Sequence, residues 1–245
     1  MQLTFLVNYD LPALLALNHI LPSCALHEVV VFYTRKATVA TAPLPLQNLS
    51  ALDAKFLTQK SELLSFEDMG AIELNRINGV DFPAFAQTDP DLVVSIRHMS
   101  ILRGPVIEVP RFGVINLHSG LLPTYQGVMS TFRAMCNGDA VIGTTLHRIE
   151  DAQIDAGAII ARSQTLTRFD KSYLWNVLNI YREGCLNVDA AIVAIDKGAD
   201  LDSHPQEGSG NYFTYPSAQE IDAAPFALFE HQDLHQVSQF FHQSL

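Results

Sequence analysis

The chain has 245 residues, of which 48% are hydrophobic and 17% are charged, and its formal net charge is −11. These values are typical of one large globular domain, or of one domain with a small appendage, and exclude a chain too short to bury a core. The acidic balance and the lack of a Lys/Arg run argue against nucleic acid as a partner, because nucleic-acid-binding proteins present a basic patch.

The first part of the sequence predicts a β–α–β unit. Residues 3–7 and 29–33 are apolar runs of strand length, and Asp10 and Pro12 mark the start of a helix over residues 10–21. A strand, a helix and a strand within this length are typical of a parallel sheet. The loop after the first strand has no glycine-rich fingerprint, so a dinucleotide site is not expected.

The remaining elements follow the same alternation. The sequence predicts strands over residues 91–96, 114–117, 141–146 and 158–161, and an extended piece over 211–216. Helices are predicted over residues 49–64, 129–137 and 171–196, with Gly184 as a candidate break in the last of these, and short helices in the tail. The predicted fold is an open, mostly parallel, Rossmann-like α/β sheet with helices on both faces. We expect a catalytic domain over residues 1–197 and a C-terminal extension over 198–245 packed on it.

The three cysteines, Cys24, Cys136 and Cys185, are scattered and show no metal-ligand spacing. This pattern favours reduced thiols in a cytoplasmic protein over a disulfide framework or a metal site. The N-terminus does not have the pattern of a signal peptide, and no apolar run approaches the length of a membrane span. We therefore expect a cytoplasmic protein with neither a metal nor a membrane as a partner.

Polar side chains converge where the strand over residues 114–117 ends. Asn116 and His118 are two residues apart, so in a strand they project to the same face, at the edge where parallel sheets bind ligands. The loop over residues 150–155 supplies carboxylates, including Asp155. A carboxylate can orient an imidazole and stabilise its charged form, while an amide can donate to a developing oxyanion. Because no Gly-x-Ser-x-Gly elbow is present, we expect direct transfer without a covalent enzyme intermediate.

Residues 116–127 fit the pattern Asn-x-His-x-x-Leu-Leu-Pro-x-Tyr-x-Gly. This segment resembles the signature of the folate-dependent formyltransferases, a group that includes glycinamide ribonucleotide, methionyl-tRNA and nucleotide-sugar formyltransferases. Residues 143–147 and 154–160 are similar to the second motif of that family, Gly-x-x-x-His followed by Asp-x-Gly-x-Ile-Ile. The resemblance covers about residues 90–165 well and extends over 1–200.

The resemblance implies an enzyme that uses 10-formyltetrahydrofolate as its co-substrate and needs no metal. It implies catalytic roles for Asn116, His118 and Asp155, with direct attack of a primary amine through a tetrahedral intermediate. The residues implied to hold the folate are Met99, Ser100, Leu102, Asp151 and Ile154. The loop over 150–155 is one residue longer than in most family members. His147 is interpreted as a strand residue that is packed beneath the site and supports it only indirectly.

The chain departs from the family pattern beside the catalytic histidine. Ser119-Gly120 stands where Pro-Ser or Ala-Ser is usual, and Gln126 stands where Arg or Pro is usual. These positions border the acceptor side, so we expect the acceptor-binding residues to be Ser119, Gly120, Tyr125 and Gln126.

The expected acceptor is a small-molecule amine. The acidic charge and the short stretch after Gly198 argue against tRNA, and Asn8-Tyr9-Asp10 does not supply the Gly-Ser-Asn phosphate loop of glycinamide ribonucleotide enzymes. An amino sugar on a nucleotide carrier and an amino-acid amine both remain open. The alternatives are a 10-formyltetrahydrofolate hydrolase (a deformylase) and a non-catalytic folate-binding module. The aromatic residues of the tail, Phe226, Phe229, Phe240 and Phe241, are interpreted as packing or as a homodimer contact.

Overall fold

A seven-stranded sheet forms the centre of the molecule, seen in a computed structural model that describes residues 1–35, 42–58, 62–233 and 236. Its strands are β1 (Gln2–Asn8), β2 (Glu28–Thr34), β3 (Ile72–Glu73), β4 (Leu92–Ile96), β5 (Val114–His118), β7 (Val141–Ile149) and β8 (Ile159–Leu166). Their order across the sheet is β3-β2-β1-β4-β5-β7-β8. The first five pair in parallel, whereas β7 and β8 are antiparallel. A separate two-stranded parallel sheet joins β6 (Tyr125–Gly127) to β9 (Asn211–Phe213).

The helices are α1 (Leu11–Ile20), α2 (Leu44–Leu57), α3 (Phe82–Ala86), α4 (Gly104–Glu108), α5 (Ser130–Asn137), α6 (Tyr173–Asp196) and α7 (Ala218–Asp222), and a 3₁₀ turn spans Leu21–Cys24. Alternating residues of β1 separate two apolar clusters. Phe5 packs in the cluster that contains α1 and α6, and Leu6 packs in the cluster that contains α3 and α4. Side chains of a strand alternate between faces, so helices cover both faces of the sheet. The predicted Rossmann-like α/β fold is confirmed.

Several local signals act as the sequence predicts. Asp10 caps α1, because its Oδ1 accepts a hydrogen bond from the Ala13 N–H at 2.9 Å. Helix α5 ends at Gly138, which has a φ of +77° and so takes the left-handed conformation that favours glycine. The first strands lie within a residue or two of their predicted positions.

Other predicted boundaries are wrong. Helix α2 starts at Leu44 rather than at residue 49, because Pro45 fits the first turn of a helix, and it ends at Leu57. Helix α6 continues through Gly184 without a break. A Cβ at Gly184 would lie 2.6 Å from Thr144 Oγ1, so glycine serves close packing of α6 on β7. Strands β7 and β8 are longer than predicted, and β6 is an element that the sequence does not predict.

The tail contacts the body through β9 and through Leu228, which is buried in the same cluster as α6. The division at residue 198 stays a prediction. Phe240 and Phe241 lie outside the described residues. Within the described ranges, no helix combines the length and the apolar character that a membrane crossing requires.

Candidate active site

A cleft of about 420 Å³ opens at the carboxyl ends of β4 and β5. This edge is where ligands bind in open α/β sheets. Asn116, His118 and Asp155 line the cleft together. Strand β5 supplies the first two, and the loop between β7 and β8 supplies the third. The three residues implied to be catalytic therefore meet at one place.

Asp155 lies between two imidazole rings. Its Oδ2 is 3.4 Å from His118 Nδ1, and its Oδ1 is 3.4 Å from His147 Nε2. The Gly127 N–H donates a hydrogen bond to Oδ2 at 2.8 Å. Burial acts to raise the pKa of the Asp155 carboxyl, but the charge of His118, the contacts with His147 and the Gly127 N–H outweigh it and lower the pKa to about 2. Asp155 is therefore ionised at neutral pH.

Both ring nitrogens of His118 face acceptors. Nε2 lies 2.8 Å from the carbonyl oxygen of Tyr125, and Nδ1 faces the Asp155 carboxylate. Ser130 Oγ lies 3.1 Å from the same Nε2. Each of these nitrogens can donate a hydrogen bond when it carries hydrogen. The contacts on both sides hold the ring in a single orientation beside the cleft.

His147 fixes the amide of Asn116. Its Nδ1 lies 2.8 Å from the carbonyl oxygen of Arg148, which requires hydrogen on Nδ1. Nε2 lies 3.0 Å from Asn116 Nδ2, and it accepts a hydrogen bond from this amide when it carries no hydrogen. The second N–H of that amide remains for a ligand. His147 is 2% exposed and also lies among the residues that line the cleft.

The residues implied to bind folate lie on two sides of the cleft. Met99, Ser100 and Leu102 follow β4, and the loop with Asp151 and Ile154 faces them. Leu102 is buried, whereas Ile154 is partly exposed. All five implied folate-binding residues line the cleft.

The residues expected to bind the acceptor do not all line the cleft. Only Ser119 does so. Gly120 lies behind His118, where a Cβ would come within 2.8 Å of Nε2 and 2.5 Å of the Ser130 Cβ. Tyr125 is buried and donates its hydroxyl to Asp139 at 2.6 Å, and the Gln126 amide donates to the Asp155 carbonyl oxygen at 3.3 Å. The structure thus places Gly120, Tyr125 and Gln126 as supports around Asn116, His118 and Asp155.

Other residues line the cleft that the sequence does not single out. These are chiefly Arg97, Met129, Tyr173 and Tyr215. Three of the four non-glycine residues with positive φ in the described part of the chain, Arg97, Met129 and Asp155, belong to this lining. Strained backbone conformations are common at functional sites, where the surrounding structure stabilises them despite their cost in free energy. Within the described residues, no group of three or more metal-ligating side chains exists.

Residues 80–172 match a family model described as formyl transferase. Over this segment the chain is similar to the formyl transferases, and Asn116, His118 and Asp155 lie within its limits.

Among curated relatives, the methionyl-tRNA formyltransferase of Halorhodospira halophila is 33% identical over 104 residues, 42% of this chain and 33% of the relative. The GDP-perosamine N-formyltransferase of Brucella melitensis is 29% identical over 138 residues, 56% of this chain and 52% of the relative. The chain thus matches about a third to a half of the length of these formyltransferases.

The fold of this chain recurs in solved structures. An N-formyltransferase from Helicobacter canadensis, in complex with folinic acid and dTDP-3-aminofucose, has a TM-score of 0.59 and 19% identity, covering 89% of this chain and 71% of that one. At this level of identity the likeness shows a shared fold.

Proposed function

We propose that this protein is a formyltransferase that moves a formyl group from 10-formyltetrahydrofolate to the primary amine of a small molecule. The observation that carries the proposal is the convergence of Asn116, His118 and Asp155 at one side of the 420 Å³ cleft. The similarity of residues 80–172 to the formyl transferases supports it, as do the formyltransferase relatives.

The cleft has the lining that the donor requires. Its folate side combines apolar side chains such as Leu102 and Ile154 with the polar groups of Ser100 and Asp151. A flat ring with polar edges fits between an apolar wall and a few polar groups. The bound donor supplies the formyl group, and the Helicobacter structure in complex with folinic acid supports a folate as the ligand.

The side chains stabilise negative charge on the formyl oxygen. The free N–H of Asn116, held by His147, donates to that oxygen, and the charged ring of His118 lies beside it. Asp155 keeps the His118 ring charged and oriented. A carboxyl group with a pKa near 2 is a weak base, so we assign Asp155 an electrostatic role.

The transfer is a direct exchange of one C–N bond for another. A bond forms between the acceptor nitrogen and the formyl carbon, and the bond between that carbon and N10 of the donor breaks. The acceptor amine releases a proton to water, and N10 takes one up. The products are the formamide and tetrahydrofolate.

The acceptor is a small amine, either an amino sugar on a nucleotide carrier or an amino acid. The Brucella relative is named for GDP-perosamine and the Helicobacter enzyme is in complex with dTDP-3-aminofucose, and both support the first class. The net charge of −11 supports the exclusion of nucleic acid as an acceptor. A homodimer stays a prediction.

The test is formyl release from 10-formyltetrahydrofolate, measured as formation of tetrahydrofolate with and without a panel of amino sugars and amino acids. We expect release that depends on an amine. Asn116→Ala, His118→Ala and Asp155→Ala should each lower turnover by about a hundredfold, by analogy with loss of an oxyanion donor. His204→Ala is the matched control, because that side chain is 78% exposed and lies outside the cleft lining.

Three results would contradict the proposal. Release at the same rate without any amine would identify a hydrolase. Binding of folinic acid without release in any mixture would identify a folate-binding module. Near-normal turnover of His118→Ala would exclude the assigned mechanism.

A further inference from the structure

Arg97 is the one arginine in the lining of the cleft in the described part of the chain. It follows β4 directly, at the end of the register that pairs Ile96 with Leu117. Its neighbour across the strands is therefore the segment that carries His118. Its side chain remains 24% exposed. A cation thus lies next to the place where formyl transfer is proposed.

A buried carboxylate holds this arginine in position. Asp10 Oδ2 accepts a hydrogen bond from Arg97 Nε at 2.8 Å, and the Asp10 side chain is 6% exposed. Asn8 Nδ2 donates to the same oxygen at 2.8 Å. An Arg–carboxylate contact through Nε leaves terminal nitrogens of the guanidinium for another ligand. Asp10 thus orients the guanidinium group of Arg97, while its terminal nitrogens remain able to donate to a ligand.

Three phenol groups lie near Arg97 in addition to Asp10. Tyr173, Tyr181 and Tyr215 interact electrostatically with its guanidinium, and Tyr173 and Tyr215 also line the cleft. Phenol groups can donate hydrogen bonds to an anion, and they do not neutralise the arginine. Asp53, the other carboxyl near the ion pair, has a pKa raised to about 8 by burial and by the charge of Asp10. The raised pKa disfavours a second negative charge there, which leaves Asp10 as the main counter-ion.

We propose that Arg97, with the hydroxyl groups of Tyr173 and Tyr215, forms an anion subsite that binds an acid group of the acceptor close to its amine. The inference rests on the proposed function and narrows its substrate class to amines that carry a carboxylate or a phosphate. Arginine binds both groups through two parallel hydrogen bonds. The subsite would place the amine by anchoring the acid group beside the catalytic residues.

The position also accounts for the unusual backbone of Arg97. Its φ is +59°, a conformation that costs free energy for a residue with a side chain. A glycine would avoid that cost. The residue is instead an arginine, whose long side chain reaches both Asp10 and the cleft. A recognition role gives a physical reason for the strained residue.

The test compares binding of paired probes in the presence of folinic acid. The pairs are alanine with alaninamide, O-phosphoethanolamine with ethanolamine, and dTDP with thymidine. Within each pair, only the first member carries the acid group. Binding is measured by titration calorimetry or by ligand-observed NMR, so no turnover is needed. We expect at least one acid probe to bind about tenfold or more tightly than its neutral partner, as for a hydrogen-bonded charged group.

The variants are chosen to separate recognition from folding. Arg97→Met alone would leave Asp10 buried and unpaired, so the double variant Asp10→Asn/Arg97→Met is used. Asparagine also caps helices, so α1 keeps its cap. Arg97→Lys is the matched control, because it keeps a cation beside Asp10 and the cleft. The double variant should lose the preference for acid probes, and the control should retain it. Circular dichroism checks the fold of each variant.

The outcomes distinguish this inference from the proposed function. Equal binding of acid and neutral probes, no binding of any acid probe, or an unchanged preference in the double variant would overturn the anion subsite. Formyl transfer to neutral amines at full rate would also overturn the anion subsite, but it would support the formyltransferase proposal. Tight acid binding without formyl transfer to any amine would support the subsite and reject the proposed function. The pair of probes that shows the preference identifies the acid group as a carboxylate or as a phosphate.

Discussion

Asn116 donates a hydrogen bond from Nδ2 to Nε2 of His147 at 3.0 Å across the neighbouring strands β5 and β7. The two residues are also direct partners in the register of these strands. This contact fixes which atoms of the amide face the cleft. His147 is therefore assigned as a positioning residue for Asn116, and also as a neighbour of the Asp155 carboxylate.

We expect His147→Ala to lower kcat by about ten- to a hundredfold, because a misplaced Asn116 donates less well to the formyl oxygen. The KM for the folate should change much less, since His147 is not among the residues assigned to the donor. Steady-state kinetics at varied folate concentration measures both. His204→Ala serves as the control. A change in KM alone would contradict the positioning role.

The second prediction concerns the acid side of the stability profile. The pKa of Asp155 falls from 3.8 to about 2 on folding, so Asp155 stabilises the fold above pH 4, and this contribution disappears as the pH falls towards 2. Its size is about 2 kcal/mol, from 1.36 kcal/mol for each pKa unit. Urea unfolding of wild type and Asp155→Asn should give a difference in free energy that shrinks over this range. A difference that stays constant between pH 5 and pH 2.5 would contradict the assigned pKa.

The third prediction concerns Asp53, whose contribution to stability changes with pH in the opposite direction to that of Asp155. The pKa of Asp53 is raised from 3.8 to about 8, chiefly by burial and next by the charge of Asp10. The folded state then holds a proton that the unfolded state releases, so this group lowers the stability as the pH rises from 4 to 8. Asp53→Asn removes that dependence. The Tm of the variant should exceed that of wild type increasingly between pH 5 and pH 8, measured by calorimetry. An equal shift at every pH would speak against the protonated carboxyl.

The fourth prediction compares two glycines that both have positive φ. A Cβ at Gly127 would lie 2.2 Å from the Phe213 carbonyl oxygen, whereas a Cβ at Gly138 would meet nothing within 4 Å. Gly138→Ala should therefore lower the free energy of unfolding by only about 1–2 kcal/mol, the cost of a left-handed backbone for a residue with a Cβ. Gly127→Ala should cost more and should also lower turnover, because the N–H of Gly127 bonds to Asp155. Chemical unfolding measures the stability, and formyl release measures the turnover. Equal losses of stability in the two variants would show that the close contact between Gly127 and Phe213 has no effect.

Local chemistry explains why part of the structure could be predicted. The cap at Asp10, the end of α5 at Gly138 and the buried strand β5 each depend on residues close together in the sequence. Asn116 and His118 could be singled out for the same reason, since both lie at the end of one strand. Asp155 joins them through the family resemblance, and its position between two imidazoles is a tertiary feature.

Long-range pairing explains what could not be predicted. Arg97 bonds to Asp10, 87 residues away, and nothing near either residue indicates the other. Strand β6 has only three residues and carries no periodic pattern, so it becomes a strand only through β9. Gly184 has the sequence signature of a helix break, yet tight packing on Thr144 makes it a contact position within α6.

The pairing of β6 with β9 has a consequence for the order in which the site is completed. Asn116, His118 and Asp155 all precede β9 in the chain, so a ribosome finishes them before it adds Asn211–Phe213. Without that partner strand, the segment with Gly127 has no sheet to hold it, and Asp155 loses the N–H that it accepts. The docking of β9 therefore completes the hydrogen bonding of Asp155 from a distant part of the chain.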